Sequence, residues 1–357
     1  MGKRECTLEG LDMNAEFWKD RKVFLTGHTG FKGGWLALWL ESLGAKVTGY
    51  SLPPTSPLFS LFRLGINIDS REGDILDYPS LENAVQTSQP ELIFHLAAQS
   101  LVGQGYHKPV ETYSTNVLGT VHLLEIARAT KSVQAIINIT SDKCYENREW
   151  IWGYREEEPM GGKDPYSSSK GCAELITRAY RDSFFSKTGV ALASVRAGNV
   201  IGGGDWAKDR LVPDVLNALA QGKPILLRNP NAVRPWQHVL EPLEGYLLLA
   251  ERLFMEGNAW AEGWNFGPSD SKSVRWVAEY IIDCWGGGSI ELSNSPSFHE
   301  AHFLYLDSTK ARSRLGWHPR WNVDRALAAT VDWHRAWMSG QDMRVFSISQ
   351  IQDFLGT

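Results

Sequence analysis

The chain has 357 residues, 43% hydrophobic and 22% charged, which suits a globular protein with room for one large or two coupled domains. Its 36 lysines and arginines against 41 aspartates and glutamates leave a net charge of −5. That excludes the basic field nucleic acid or an anionic membrane would require and points to a small-molecule partner. Four scattered cysteines, Cys6, Cys144, Cys172 and Cys284, argue against a disulfide framework or a zinc ribbon, and no apolar run reaches the roughly 18 residues of a membrane span.

In chain order, the opening MGKRECTLEGLDMN has no signal-peptide character and carries Cys6 where a myristoylation signal has Ser or Thr, so a cytoplasmic location is expected. Lys22–Thr26 (KVFLT) reads as the first strand, Phe31–Ser42 as a helix rich in Leu36, Leu38, Trp39 and Leu40, and Lys46–Tyr50 as the second strand. Leu92–Leu96 and Ala135–Thr140 continue the strands, Val110–Ala129 and Tyr166–Phe185 read as crossover helices, and Val190–Arg196 follows as a strand after Gly189. This alternation predicts an α/β fold, a Rossmann-type doubly wound parallel sheet. Beyond Gly198 the pattern loosens into VIGGGDW, a helix start at Val212-Pro213, RNPNAVRPWQHV and EGWNFGPSD, which predicts a smaller mixed α/β C-terminal domain of short elements. From Gly340 onward a peripheral tail is expected.

The first strand runs straight into Gly27-His28-Thr29-Gly30-Phe31-Lys32-Gly33. Glycines at this GxxGxxG spacing, between a strand and a helix, turn the chain tightly and let a pyrophosphate approach backbone N–H groups. The second strand ends in GYSLPP without the usual carboxylate for the adenosine ribose, leaving Tyr50 or Ser51 as substitutes. Lys32 and Arg63 argue for a 2′-phosphate, but no arginine directly follows that strand, so NAD is favoured over NADP. Asp74-Ile75 falls at the third strand's end, where a carboxylate meets adenine's amino group; a turn or helix cap is the alternative for Asp74.

Tyr166 and Lys170 stand at i and i+4, on one helix face. A neighbouring ammonium and a cationic nicotinamide ring both favour phenolate, so Tyr166 is expected to be drawn toward neutrality as a base on a carbinol hydroxyl, with Ser141 at a strand end holding the same oxygen. The strand that ends in Thr140-Ser141-Asp142-Lys143 sets an acid and an amine directly after that serine.

TGHTGFKG, FHLAAQS, YSTNVLGT, the Ser141/Tyr166/Lys170 set and RAGNVIGGGDW resemble the extended short-chain dehydrogenase/reductase superfamily, specifically its CDP-D-glucose 4,6-dehydratase members, from about Phe17 to about Met343. The resemblance implies NAD-dependent oxidation of a nucleotide-bound hexose such as CDP-glucose at C4, loss of water across C5 and C6, and reduction at C6. Asp142 and Lys143 would be the elimination pair, with neutral Lys143 taking the C5 proton and protonated Asp142 serving the C6 oxygen; the duties shared through water are one alternative, a structural salt bridge another. Resembling enzymes carry Glu near Lys143. It further implies cofactor contacts from Leu96, Ala97, Ala98, Ser100, Thr115, Ile139 and Val200, beside the cradle residues, Ser51, Asp74 and Ile75. Substrate contacts are implied for Gln99, Asn199, Trp206, Arg210, Val212, Arg234, His238, His302 and Tyr305. His299 and His302 lack the HExxH spacing and a third ligand, so no metal is expected.

The implied division is an NAD-binding domain over residues 17–198 with a returning segment 236–262, a substrate domain over 199–235 and 263–340, and the tail 341–357. Apolar content in the two crossover helices predicts a four-helix contact between subunits, a homodimer or dimer of dimers. A 4-epimerase or reductase would keep Ser141, Tyr166 and Lys170 without needing Asp142-Lys143, and a non-catalytic NAD-sensing regulator would need the cradle alone.

Overall fold

Six successive β-rich runs, β1 (Lys22–Thr26), β2 (Lys46–Ser51), β3 (Asp69–Glu72), β4 (Leu92–His95), β5 (Ala135–Ile139) and β6 (Ala191–Ala197), join a later Gly263–Phe266 strand in one parallel sheet. The spatial order is Gly263–Phe266, β6, β5, β4, β1, β2, β3. The order in which strands are added reverses between β1 and β4, while all run parallel, which opens a crevice above their C-terminal ends. The computed structural model describes residues 14–268, 270–292 and 303–356.

Side chains alternate between two cores, as the period of a strand requires. Val23, Leu25, Phe94, Ile137 and Val195 face one side, where they meet the Phe31–Ser42 and Leu240–Glu256 helices. Phe24, Ile93, Ile136 and Leu192 face the other, against the Tyr78–Ser88 and Gly119–Ala129 helices. The Phe31–Ser42 helix is buried continuously from Gly33 to Leu40, the signature of a helix wrapped by protein on every side.

Three two-stranded ribbons lie outside the sheet: Asn199–Ile201 with Trp236–His238, Val233–Arg234 with Lys272–Ser273, and Ile225–Leu227 with Ile290–Leu292. They accompany a separate core of Val215, Leu216, Val277, Ile281 and Leu327 between the Leu211–Ala220, Val274–Trp285 and Val323–Met338 helices. Among the described residues, no helix is long and apolar enough to cross a membrane.

The structure departs from the sequence reading in three places. Val110–Ala129 is not one helix: Pro109–Tyr113 passes through a π-helical turn, Ser114–Leu118, into Gly119–Ala129, and Tyr166–Phe185 likewise ends in a π-helical turn, Arg181–Phe185. Gly263–Phe266 belongs to the large sheet, so the returning segment runs past residue 262; Trp264 and Phe266 are fully buried beside β6. The segment expected as a peripheral tail folds as the Met343–Leu355 helix, because Met343, Ile351 and Phe354 fall on one face and insert into the main core, with Phe354 edge-on to Trp39 and Trp321.

Candidate active site

At the crevice, Gly27 adopts φ +78 and a Cβ there would sit 2.8 Å from the Ala97 amide, so only glycine lets the β1 turn pass the Leu96–Ser100 segment. Gly33 is tighter still: an added Cβ would lie 2.1 Å from the Gly27 carbonyl. Gly30 starts the Phe31–Ser42 helix with no side-chain cap, which leaves the first-turn N–H groups free to face an anion. Thr26 Oγ1 accepts from the Leu96 and Ala97 amides at 3.1 Å, fixing the opposite wall, of which Ala98 and Ser100 are the continuation. Thr29 and Ser51 share a 2.7 Å hydroxyl contact at the end of β2, where a ribose hydroxyl would arrive.

Two cradle side chains do not point where the motif reading put them. His28 is buried: its Nε2 meets Ser70 Oγ at 2.8 Å and its ring fills the space above Gly49, so only its backbone can serve a cofactor. Lys32 is turned away from any 2′-phosphate; its half-buried ammonium is pushed down to about 8 by burial and by Arg210, and is attracted by Asp142, which locates it at the catalytic turn. The Asp74 carboxylate caps the Leu76 amide at 2.9 Å, the turn-capping alternative. Ile75 is buried against Gly119, in the core beneath the pocket. Thr115 lies in the π-helical turn, and Ile139 and Val200 border the sheet's C-terminal edge.

Beyond Ile139 the chain makes a short 3-10 turn, Asp142–Cys144, capped by Ser141, whose Oγ accepts from the Lys143 amide at 3.3 Å and donates to Asp142 Oδ1 at 2.9 Å. This is why a core strand ends in polar residues: the turn lifts them off the sheet toward the Pro165–Tyr180 helix. Asp142 is 3% exposed, and Lys143 is half-buried, its charge felt at Lys32. Tyr166 is buried, and burial pushes its phenol up to about 12; the Ser141 hydroxyl and the Arg210 charge pull it down, while Asp142 works against them. The drop toward neutrality expected from sequence is therefore not supplied by the protein's own groups. Burial likewise pushes Lys170 down to about 8, opposed by Glu174; its Nζ donates to the Ile139 carbonyl at 3.3 Å.

On the side where a substrate would lie, Arg210 is held by Asp205 at 2.9 Å and acts electrostatically on both Tyr166 and Lys32, so it faces the catalytic turn. Asn199 pairs through its backbone strand with Trp236, and Arg234 with Lys272, at the ribbons flanking the crevice. Tyr305 is half-buried, its hydroxyl within 3.4 Å of Ser271. Four expected contacts have partners within the fold. Gln99 spends its amide on Leu101 and Thr112; Trp206 packs against Trp333 and Trp337; Val212 is buried in the C-terminal core; His238 sits in the core between Trp35 and Trp321. His302, like His299, lies outside the described residues.

Two groups escaped the sequence reading. Asn116, on the π-helical turn, accepts from the Gln99 amide at 2.8 Å and donates to Ser169 Oγ, which in turn bonds the Tyr166 carbonyl. Glu174 and Arg196 form a buried ion pair behind Lys170. The spacing Tyr166, Lys170, Glu174 was the available signal for the second group, and the first lies within YSTNVLGT, a motif read without singling out Asn116.

The family model of GDP-mannose 4,6 dehydratase matches residues 24–330. A CDP-glucose 4,6-dehydratase of Salmonella typhimurium is 53% identical over 355 residues, covering 96% of this chain and 98% of the relative. A dTDP-glucose 4,6-dehydratase of Xanthomonas campestris pv. campestris is 24% identical over 343 residues, covering 88% and 94%. Among solved structures, a UDP-glucose 4-epimerase of Thermotoga maritima superposes with a TM-score of 0.79 at 24% identity, covering 88% of this chain and 99% of that one. A dTDP-glucose 4,6-dehydratase of Streptomyces venezuelae, solved with NAD, does so with 0.78 at 23%, covering 90% and 99%. At these identities the structural likeness concerns the fold.

Proposed function

Because the chain belongs to the GDP-mannose 4,6-dehydratase family, we propose that it is a CDP-glucose 4,6-dehydratase, a hydro-lyase that converts CDP-glucose to CDP-4-dehydro-6-deoxy-D-glucose. The observation that carries this reading is 53% identity sustained over 96% of the chain to a CDP-glucose enzyme. The catalytic turn supports it, since oxidation alone needs one base and one orienting hydroxyl, whereas Ser141 is followed here by a carboxyl and an amine.

The cradle fits NAD: a backbone too close for any side chain at Gly27 and Gly33, uncapped N–H groups after Gly30, and the Thr29–Ser51 hydroxyls at the ribose end. When bound, NAD would supply the oxidant and reductant of the cycle. Tyr166 removes the C4 hydroxyl proton while Ser141 holds that oxygen and Lys170 stabilises the phenolate. Oxidation at C4 acidifies the C5 proton, which Lys143 takes in its neutral form and returns to C5 when C6 is reduced. The C6 oxygen leaves as water with a proton from Asp142. The Ser141 hydroxyl touches Asp142 and faces Tyr166, and so offers a path by which the proton gained by Tyr166 reaches the carboxyl that spends it. Arg210 and Arg234 are the guanidinium partners for the diphosphate.

Exposed Val110, Leu118, Leu175 and Phe184 on the crossover helices support a homodimer or dimer of dimers, readable by light scattering. Free Cys144, Cys172 and Cys284 suit a reducing cytoplasm. With CDP-glucose deuterated at C4, the label is expected at C6 of the product. Label in bulk water or in free cofactor rejects the cycle, and a panel of CDP-, dTDP-, UDP- and GDP-hexoses in which another base is preferred rejects the substrate.

A further inference from the structure

The Pro165–Tyr180 helix carries three ionisable side chains four residues apart, Tyr166, Lys170 and Glu174, along one face. Glu174 has 4% of its side chain exposed and Arg196 of β6 has 5%. They meet as a fork: Arg196 Nε donates to Oε1 at 2.9 Å and Nη2 to Oε2 at 2.7 Å. Thr140 Oγ1 also donates to Oε1, and Ser194 Oγ to Oε2 at 2.7 Å, so each carboxylate oxygen holds two donors. Arg196 Nη1 reaches the Tyr145 hydroxyl and the Glu156 carbonyl, and Tyr145 donates onward to Asn265 Oδ1 at 2.8 Å. Burial alone would raise the Glu174 carboxyl, but the Arg196 charge and these hydrogen bonds outweigh it and hold the group below the usual carboxylate range.

This anion stands directly behind the catalytic amine. Lys170 bonds the Ile139 carbonyl, and Glu174 bonds the hydroxyl of the next residue, Thr140, so the two side chains grip adjacent positions of the strand end that leads to Ser141. Lys170 has Tyr166 and Glu174 on its own helix, Cys144 from the catalytic turn, His95 from β4 and Lys32 from the Phe31–Ser42 helix. Burial keeps Cys144 a thiol and His95 neutral, and Lys32 carries like charge. Glu174 is the anion in that set.

We propose that Glu174 is a positioning residue for Lys170: its carboxylate keeps the ammonium charged one helical turn from Tyr166 and, through Thr140, holds the strand end bearing Ser141 in register. Arg196 keeps Glu174 ionised and ties the same unit, through Tyr145, to the turn that carries Asp142 and Lys143, so one buried pair braces the oxidation and elimination groups together.

The kinetic half of the test rests on the CDP-glucose reading; the spectroscopic half does not. NAD-loaded wild type is compared with Glu174→Gln and with Glu174→Leu/Arg196→Met, which removes both charges and is tolerated where a single unpaired buried charge is not. The Tyr166 phenol is followed by ultraviolet difference titration against Tyr166→Phe, and kcat and KM for CDP-glucose are followed across pH. Both variants are expected to move the Tyr166 titration and the acid limb of kcat upward by about one pH unit. At pH 7 they should lower kcat about tenfold with KM within about twofold. If the single variant does not fold, the double variant decides alone. Folded variants whose Tyr166 titration and acid limb coincide with the wild type overturn the inference. A wild type that does not turn over CDP-glucose overturns the substrate reading, and the phenol titration still decides the role of Glu174.

Discussion

The proposed catalytic groups are set against one another by burial. Tyr166 is pushed up to about 12 and Lys170 down to about 8 by the same desolvation, so each resists the charge it needs for catalysis. Lys170 is protonated below that value and neutral above it, so turnover should decline as pH rises through about 8, and a kcat profile on CDP-glucose checks this. Tyr166→Phe removes the base and is expected to lower kcat by about 10² to 10⁴. Asp142→Asn keeps Tyr166 and Lys170 intact, so C4 oxidation should persist while water loss stalls. Accumulation of reduced nicotinamide absorbance without 6-deoxy product is the expected signature. Normal product formation would remove Asp142 from the elimination.

At the scale of elements, function depends on how closely backbones approach. Gly33 brings the Phe31–Ser42 helix start onto the Gly27 carbonyl, and an added Cβ 2.1 Å from that oxygen forces the helix away from β1. Gly33→Ala should weaken NAD binding by at least about 100-fold, or ~2.7 kcal/mol, measured by calorimetric titration. The Met343–Leu355 helix braces the far side of the same Phe31–Ser42 helix. Phe354 meets Trp39, and Arg344 pairs with Glu41 and bonds the Phe62 carbonyl. Phe354→Ala should therefore cost about 3–5 kcal/mol in urea unfolding. A peripheral segment would show almost none of that loss.

Across the whole molecule, buried ionisable groups tie stability to pH. Burial lowers His28 to about 4 and His95 and His238 to about 3, against 6.5 for a free imidazole. Below pH 6.5 the unfolded chain takes up protons the folded protein refuses, so these three histidines cost stability as pH falls. Glu241 and Glu251 act with the opposite sign. Burial raises them to about 8 and about 7 from 4.5, so the folded state keeps protons the unfolded chain releases, and their contribution falls as pH climbs from 4.5. The two effects oppose each other between 4.5 and 6.5, and below 4.5 the histidines act in the same direction as the carboxylates held low, Glu174 among them. Urea unfolding should show the steepest loss there. His238→Gln should flatten that slope by about 1.4 kcal/mol per pH unit.

Local geometry made much of this legible in the chain itself. Four residues bring Tyr166 and Lys170 onto one helix face whatever surrounds them, and GxxGxxG between a strand and a helix makes one kind of turn. The alternation of β1, β4 and β5 announced a sheet buried on both faces. The direction of an individual side chain was a different matter. His28, Gln99, Trp206, Val212 and His238 lie in or beside motifs of the site yet point into packing or spend their polar atoms within the fold, and Lys32 turns from the cofactor's edge to the catalytic turn. Glu174 and Arg196, 22 residues apart, become one unit only when β6 is laid beside β5. Which face of an element is covered, and by what, depends on chain segments far away in sequence; that is what the sequence determined only in outline and the tertiary structure decided.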